Sequence, residues 1–351
     1  MDAPPGPDQA VKELYHILET GNIMKFKNFH KRMVFYTLVI ISLTAVLFMK
    51  HSGQLCFGAK NLTYEELRKD GIVSGFGNRD GNPLDYVNSI PSINSPKYIT
   101  PEEDMFKKEE IFIGLETKRG WRFSSLSILN GHEIVNNDDN SALCFCPLAG
   151  LVVAMPCKKS VSGLLKYDTF VLYDDETKNL IFPFTGNMYQ SDQKASFVPV
   201  QRLTFGAILD FYSDAKVLNP KYYRSRNPYG TYSSNRDQGL GHAKPGLQKE
   251  YRELEIGFHP KENVLLVGDQ DGIWKGYPFS ELKKNVPSEG GSFQDQIQGR
   301  LVNIHYYPQY SWAFAEDENG RSLNRGYAYI FALYQHIPDI ALYKSAVNSN
   351  Q

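Results

Sequence analysis

The sequence predicts an α+β chain, rich in β-strand, whose two pseudo-symmetric halves form one body behind a single N-terminal transmembrane helix. Three observations carry that expectation. An uncharged apolar stretch runs from Met33 to Met49. Beyond residue 107, short apolar runs alternate with turns containing Gly and Asn. Several short motifs from the first part of that region return, in the same order, in its second part.

Residues 1–32 begin "MDAPPGPDQ", where the prolines keep a helix from starting. In "AVKELYHILETG", Val11, Leu14, Tyr15 and Leu18 share one helical face ahead of Gly21. A short amphipathic helix fits, either docked on a partner or lying in solvent. The apolar span 33–49 is bounded by Arg32 and Lys50. At about 1.5 Å per residue it nearly crosses a hydrocarbon layer about 30 Å thick. Lys25, Lys27, Lys31 and Arg32 crowd its N-terminal side, while Lys50 stands alone just beyond it. The positive-inside rule then places residues 1–32 in the cytoplasm and the main domain outside it. A cleaved signal peptide and a buried core helix are the alternatives, although no clean small-x-small cleavage site precedes Cys56.

Residues 50–107 are rich in Gly, Asn, Pro and charge, as in "FGNRDGNPLDYVNSIPSINSPKYIT", and read as an extended wrapping segment. Asn61-Leu62-Thr63 is a glycosylation sequon, relevant only in a eukaryotic secretory setting. From 108 to 218 the runs "IFIGLE", "GLVVAM", "TFVLYD" and "NLIFPF" read as strands, the last two forming a hairpin. Helical periodicity is confined to stretches such as "FGAILDFYSD" and "YIFALYQHI". Residues 219–259 form a Tyr/Arg/Gly-rich insert, too irregular for a core element and long enough for a functional or interface loop. Residues 260–351 make the second half.

The repeat is visible at three places. "RGWRFSSLSIL" matches "GIWKGYPFSEL", with Trp121 and Trp274 in register as core anchors. "LCFCP" matches "IHYYP", so Cys144 corresponds to His305, Cys146 to Tyr307 and Pro147 to Pro308. Each half closes on a helix-like run with an acidic turn, "FYSDAKVL" and "HIPDIALY".

Composition excludes several classes. Lys+Arg 38 against Asp+Glu 39 leaves a net charge of −1, without the basic field that draws proteins onto nucleic acid. Four cysteines with no C-x-x-C pair fit neither a disulfide scaffold nor a zinc ribbon. No phosphate loop, dinucleotide fingerprint or zincin motif is visible.

The stretches "LSILNGHEIVNN", "LCFCPLAG", "SVSGLLKYDTFVLYDDETKNLIFPFTG" and "IWKGYPFSEL" together resemble the widespread, largely bacterial family called domain of unknown function 3179, over roughly residues 108–343. Its members typically carry a Tyr-Pro-Leu stretch, a His-Glu-Ile-Val-Asn-Asp run, a Tyr-Cys-Pro-Leu-Cys-Gly motif, a Val-Ser-Gly-Leu run and a Met-Tyr-Asp-Arg-x-Thr turn. The resemblance implies no established activity. The family's second cysteine falls at Ala149, so its C-x-x-C is absent here, and Ser124-Ser125 replace the first Tyr-Pro, whereas Tyr277-Pro278 keep it.

Candidate chemistry centres on the cysteines. Residues i and i+2 of a strand share a face, so Cys144 and Cys146 can present two sulfurs together. They can be buried, inert thiols; one can bridge Cys157; or, with imidazoles from His132 and His305, they can make an S2N2 site for copper or zinc. His132-Glu133 is a weaker acid–base candidate, because neighbours on a strand face opposite sides. Ser162 lacks the G-x-S-x-G elbow. "DDNSAL" and "DDETKN" read as polar hairpin turns. The expected function is that of a membrane-anchored extracytoplasmic binding or accessory protein, held to the membrane by Met33–Met49 and associated with protein subunits of a larger assembly. The alternative is a metal-binding or thiol-redox protein or enzyme using the Cys/His region.

Overall fold

Alternating apolar residues, punctuated by Gly, Asn and Asp turns, lay down nineteen strands and five α-helices among the described residues, which are 62–77, 81–224, 229 and 257–346 of a computed structural model. The expectations for residues 1–32, for the span Met33–Met49 and for most of the insert fall outside them. Among the described residues no helix is long and apolar enough to cross a membrane. The protein is α+β and rich in strand, and residues of both halves lie in one compact unit.

The largest sheet holds β5 (Ile134–Asn136), β6 (Ser141–Cys146), β7 (Leu151–Pro156), β13 (Asn263–Gly268), β14 (Ile273–Pro278), β18 (Asn324–Tyr329) and β19 (Ala341–Leu342), in the order β19-β14-β13-β18-β7-β6-β5. A second sheet orders β11 (Val200–Thr204), β3 (Ile111–Thr117), β4 (Gly120–Ser125), β12 (Lys216–Leu218) and β2 (Tyr98–Ile99). A third contains β1 (Ile72–Ser74), β8 (Lys159–Lys166), β9 (Thr169–Asp174) and β10 (Leu180–Ile181). The fourth is the meander β15 (Gly291–Ile297), β16 (Arg300–Tyr307) and β17 (Trp312–Asp317). The helices are α1 (Tyr64–Lys69), α2 (Leu126–His132), α3 (Phe205–Phe211), α4 (Phe279–Asn285) and α5 (Ile330–His336).

One arrangement occurs twice. The orders β11-β3-β4-β12 and β18-β13-β14-β19 have the same polarity, the last strand in each running parallel to its neighbour. A seven-residue helix follows β4, β11, β14 and β18 alike. Each copy also sends out an antiparallel meander, β5-β6-β7 or β15-β16-β17. The first meander joins the sheet of the second copy, where β7 pairs with β18. The second lies beside β11, tied by Trp312 Nε1 donating to Gln201 Oε1 at 2.9 Å. Pro147 and Pro308 each directly follow the central strand of their meander.

The largest sheet is covered on both faces, which is why β6 is buried at every residue. Leu143 and Phe145 face a core shared with Ile113, Val302 and Ile304, whereas Ala142, Cys144 and Cys146 face one shared with Phe170, Leu172 and Leu333.

The residues between 62 and 107, expected to be extended, instead carry α1, β1 and β2. A capping box explains α1: Thr63 Oγ1 accepts from Glu66 N at 3.2 Å, and Glu66 Oε2 accepts from Thr63 N at 2.9 Å. The segment attaches by strand pairing, β1 to β8 and β2 to β12. Trp121 and Trp274 are half-buried and not core anchors; Trp121 stacks on Phe123, and Arg300 lies over the Trp274 ring at 4.5 Å. Both Trp residues sit second in their strands, in the partly buried first half that precedes three buried residues.

Candidate functional site

The His132-Glu133 pair does not lie on a strand. His132 ends α2, and Glu133 caps it in the left-handed region at φ 58°. That conformation is uncommon for a residue with a side chain. Here it is fixed from two sides, by Glu133 N donating to Leu129 O at 2.7 Å and Phe145 N donating to Glu133 O at 2.7 Å. The turn sends the Glu133 side chain into the interior, where it is 2% exposed. Its Oε1 accepts a hydrogen bond from the Tyr229 hydroxyl, which the insert contributes. Burial raises the carboxyl from 4.5 to about 7, with the Tyr229 hydrogen bond opposing the rise.

Cys146 is its neighbour. The sulfur accepts from Phe170 N at 3.3 Å, and the backbone N–H groups of Ala149 and Leu148 also favour its charged form. Burial and the Glu133 charge win, pushing the thiol up to about 12. It is a neutral thiol at physiological pH, and a thiolate, not a thiol, is the nucleophile and metal ligand. Burial pushes Cys144 up to about 12 as well. Cys144 and Cys146 do share a face, but Cys144, Cys146 and Cys157 are all unbridged.

The two histidines are committed elsewhere. His132 Nδ1 lies 2.8 Å from Pro91 O and Nε2 lies 3.0 Å from Tyr222 O, so the ring ties the segment before α2 to the start of the insert. His305 stacks flat on Phe314 at 4.3 Å in the β15–β17 meander, with Nε2 3.6 Å from Glu316. Cys144, Cys146, His132 and His305 therefore do not gather around one centre. Among the described residues no three His, Cys, Asp or Glu side chains are placed to hold a metal ion, so the residues present do not fit copper or zinc.

Several motif residues have structural work. Ser162 donates to Val171 O at 2.5 Å and accepts from Leu164 N at 3.1 Å, at an irregularity of β8. Gly150, at φ 57°, lets the turn after β6 pass beneath the Tyr329 ring, where a Cβ would meet ring carbons at 2.8 Å. Asn136 accepts from Lys159 N at 2.9 Å and donates to Lys159 O at 2.9 Å, joining β5 to β8. The two acidic stretches are turns: Asp139 Oδ1 accepts from Ser141 N, and Asp174 Oδ1 from Glu176 N and Thr177 N.

The centre is thus a protonatable carboxyl that exchanges its proton near neutrality, beside a neutral thiol set among backbone N–H groups. Sequence reasoning missed Tyr229, because no spacing relates it to Glu133 across the intervening residues. It also missed the turn at Glu133, since glutamate is not a usual left-handed cap.

A family model described as "Protein of unknown function (DUF3179)" matches residues 87–330. The match begins before the first half and ends where α5 begins. No curated protein and no solved structure matches the chain.

Proposed function

Because the chain belongs to the family of proteins of unknown function DUF3179, which brings no reaction with it, we propose that it is a membrane-anchored extracytoplasmic binding or accessory protein and a subunit of a larger membrane assembly. The observation that carries this reading over a metal or thiol-redox protein is the commitment of the Cys/His groups to the fold. Both thiols are buried and held neutral, and both nitrogens of His132 face backbone carbonyls. The apolar span Met33–Met49 and its basic N-terminal flank support the anchor and its orientation.

The recurrent strand order further supports an internal duplication, residues 108–218 and 260–351 being copies of one unit related by approximate two-fold symmetry. Exchange of the meanders between the two sheets would make the copies inseparable as domains.

Intact-mass measurement of the native protein, carbonate extraction of membranes and protease treatment from outside the cell test the anchoring. An uncleaved chain that stays in the membrane pellet and loses its body to external protease is expected. A mature chain starting beyond residue 49, or a body shielded from external protease, would refute it.

A further inference from the structure

We propose that the cavity at the bulged end of β18 binds a small ligand bearing a carboxylate, which Arg325 receives with the free edge of its guanidinium. The cavity has a volume of about 410 Å³, and its wall includes Phe197, Pro199, Asp269, Arg321, Leu323 and Arg325. That size is in the range of small-molecule sites.

Arg325 is placed there by an irregularity of the sheet. Along β18, Gly326 pairs with Leu266 and Asn324 pairs with Val267, so Arg325 is the extra residue between consecutive partners. A bulge re-aims the side chain that it carries. Arg325 is 4% exposed, yet among the described residues only Nε has an acceptor, Asp269 O at 3.1 Å. Nη1 and Nη2 are buried and have no hydrogen-bond partner among the described residues. The Asp269 and Asp317 carboxylates are engaged elsewhere. Asp269 Oδ2 lies 3.3 Å from Arg300 Nη1, Asp269 Oδ1 accepts from Asp271 N, and Asp317 holds Arg321 at 3.1 Å. Burial pulls Arg325 down to about 9, against the Asp269 charge, which leaves it a cation at neutral pH.

A buried guanidinium with an unpaired edge is costly unless an anion completes it. Its fork matches the two oxygens of a carboxylate. The rest of the wall decides between anions. Phe197, Pro199 and Leu323 suit a carbon chain, whereas the Asp269 and Asp271 carboxylates disfavour a doubly charged phosphate. The Phe197 ring lies over the guanidinium and covers it. Binding therefore requires that ring to swing aside, after which it flanks the ligand's carbon chain. This adds a ligand class to the binding function proposed above and stands independently of the anchor.

The test is calorimetric titration of the full chain in detergent with sodium butyrate and, separately, sodium phosphate, at constant ionic strength. Saturable binding of butyrate and not of phosphate is expected. Arg325→Met should weaken it roughly 10- to 100-fold, the value of a charge-assisted hydrogen-bond pair. Phe197→Leu, which uncovers the guanidinium, should strengthen it and reports on the site even where Arg325→Met fails to fold. Absence of saturable butyrate binding, preference for phosphate, or equal butyrate affinity in the wild type and both variants would overturn the proposal. Loss of the membrane anchor alone would leave these outcomes unchanged.

Discussion

Replacing Glu133 by Gln should remove a defined part of the pH dependence of folding. The carboxyl rises from 4.5 to about 7 because folding buries it. Between those values the folded chain holds a proton that the unfolded chain releases, so stability falls as pH rises. The contribution is fully present below pH 4.5 and lost as pH climbs through about 7. The interval corresponds to about 3 kcal/mol. The substituted amide keeps the shape of the side chain and still accepts from Tyr229 but does not titrate. His336 works in the opposite direction, since burial pulls it down to about 3 and its contribution is lost as pH falls below 6.5. The quantity to measure is therefore the difference between variant and wild type. Urea unfolding of the full chain in detergent, followed by tryptophan fluorescence from pH 4 to 9, should show Glu133→Gln gaining about 3 kcal/mol relative to wild type between pH 4.5 and pH 8. Parallel profiles, or a gain on acidification, would refute the reasoning.

The ion pair Lys159–Asp174 has an Nζ–Oδ2 distance of 2.9 Å and both side chains almost wholly buried. Burial alone would raise the Asp174 carboxyl, but the N–H of Thr177 and the Lys159 ammonium outweigh it and hold the group below its usual value. Lys159→Met should cost about 3–5 kcal/mol in urea unfolding, and adding Asp174→Asn, which removes the unpaired charge but keeps the acceptor for Glu176 N and Thr177 N, should recover part of it; a cost below about 1 kcal/mol would count against a buried pair. In a Cys56→Ser background, Cys157 should react with a thiol reagent in the native protein, whereas Cys144 and Cys146, buried and raised to about 12, should react only on unfolding. Fast native labelling of Cys146, followed by mass spectrometry, would reopen the thiol reading.

Much of the fold was legible because its signals are local. The hairpin β9–β10, the helices α3 and α5, and the shared face of Cys144 and Cys146 follow from turn residues and from periods of 2 and 3.6. The helix α2 was hidden by Asn130 and Gly131 within it. The segment 62–107 looked irregular because its strands have two or three residues, too few to show alternation.

The candidate site divides along the same line. By itself the sequence determined that two cysteines on one strand and a His-Glu pair would be present, since identity, order and alternation belong to the chain. Only the tertiary structure decided what surrounds them. Whether a thiol is ionised depends on burial and neighbouring charge, and whether four donors converge depends on which strands pair. His132 and His305 were separated by the pairing of β5–β7 with one sheet and the placement of β15–β17 beside the other. Glu133 and Tyr229, distant in sequence, were joined by a left-handed turn that points a carboxyl inward. Long-range packing and the local dielectric set those contacts, and neither is written in the spacing of residues along the chain.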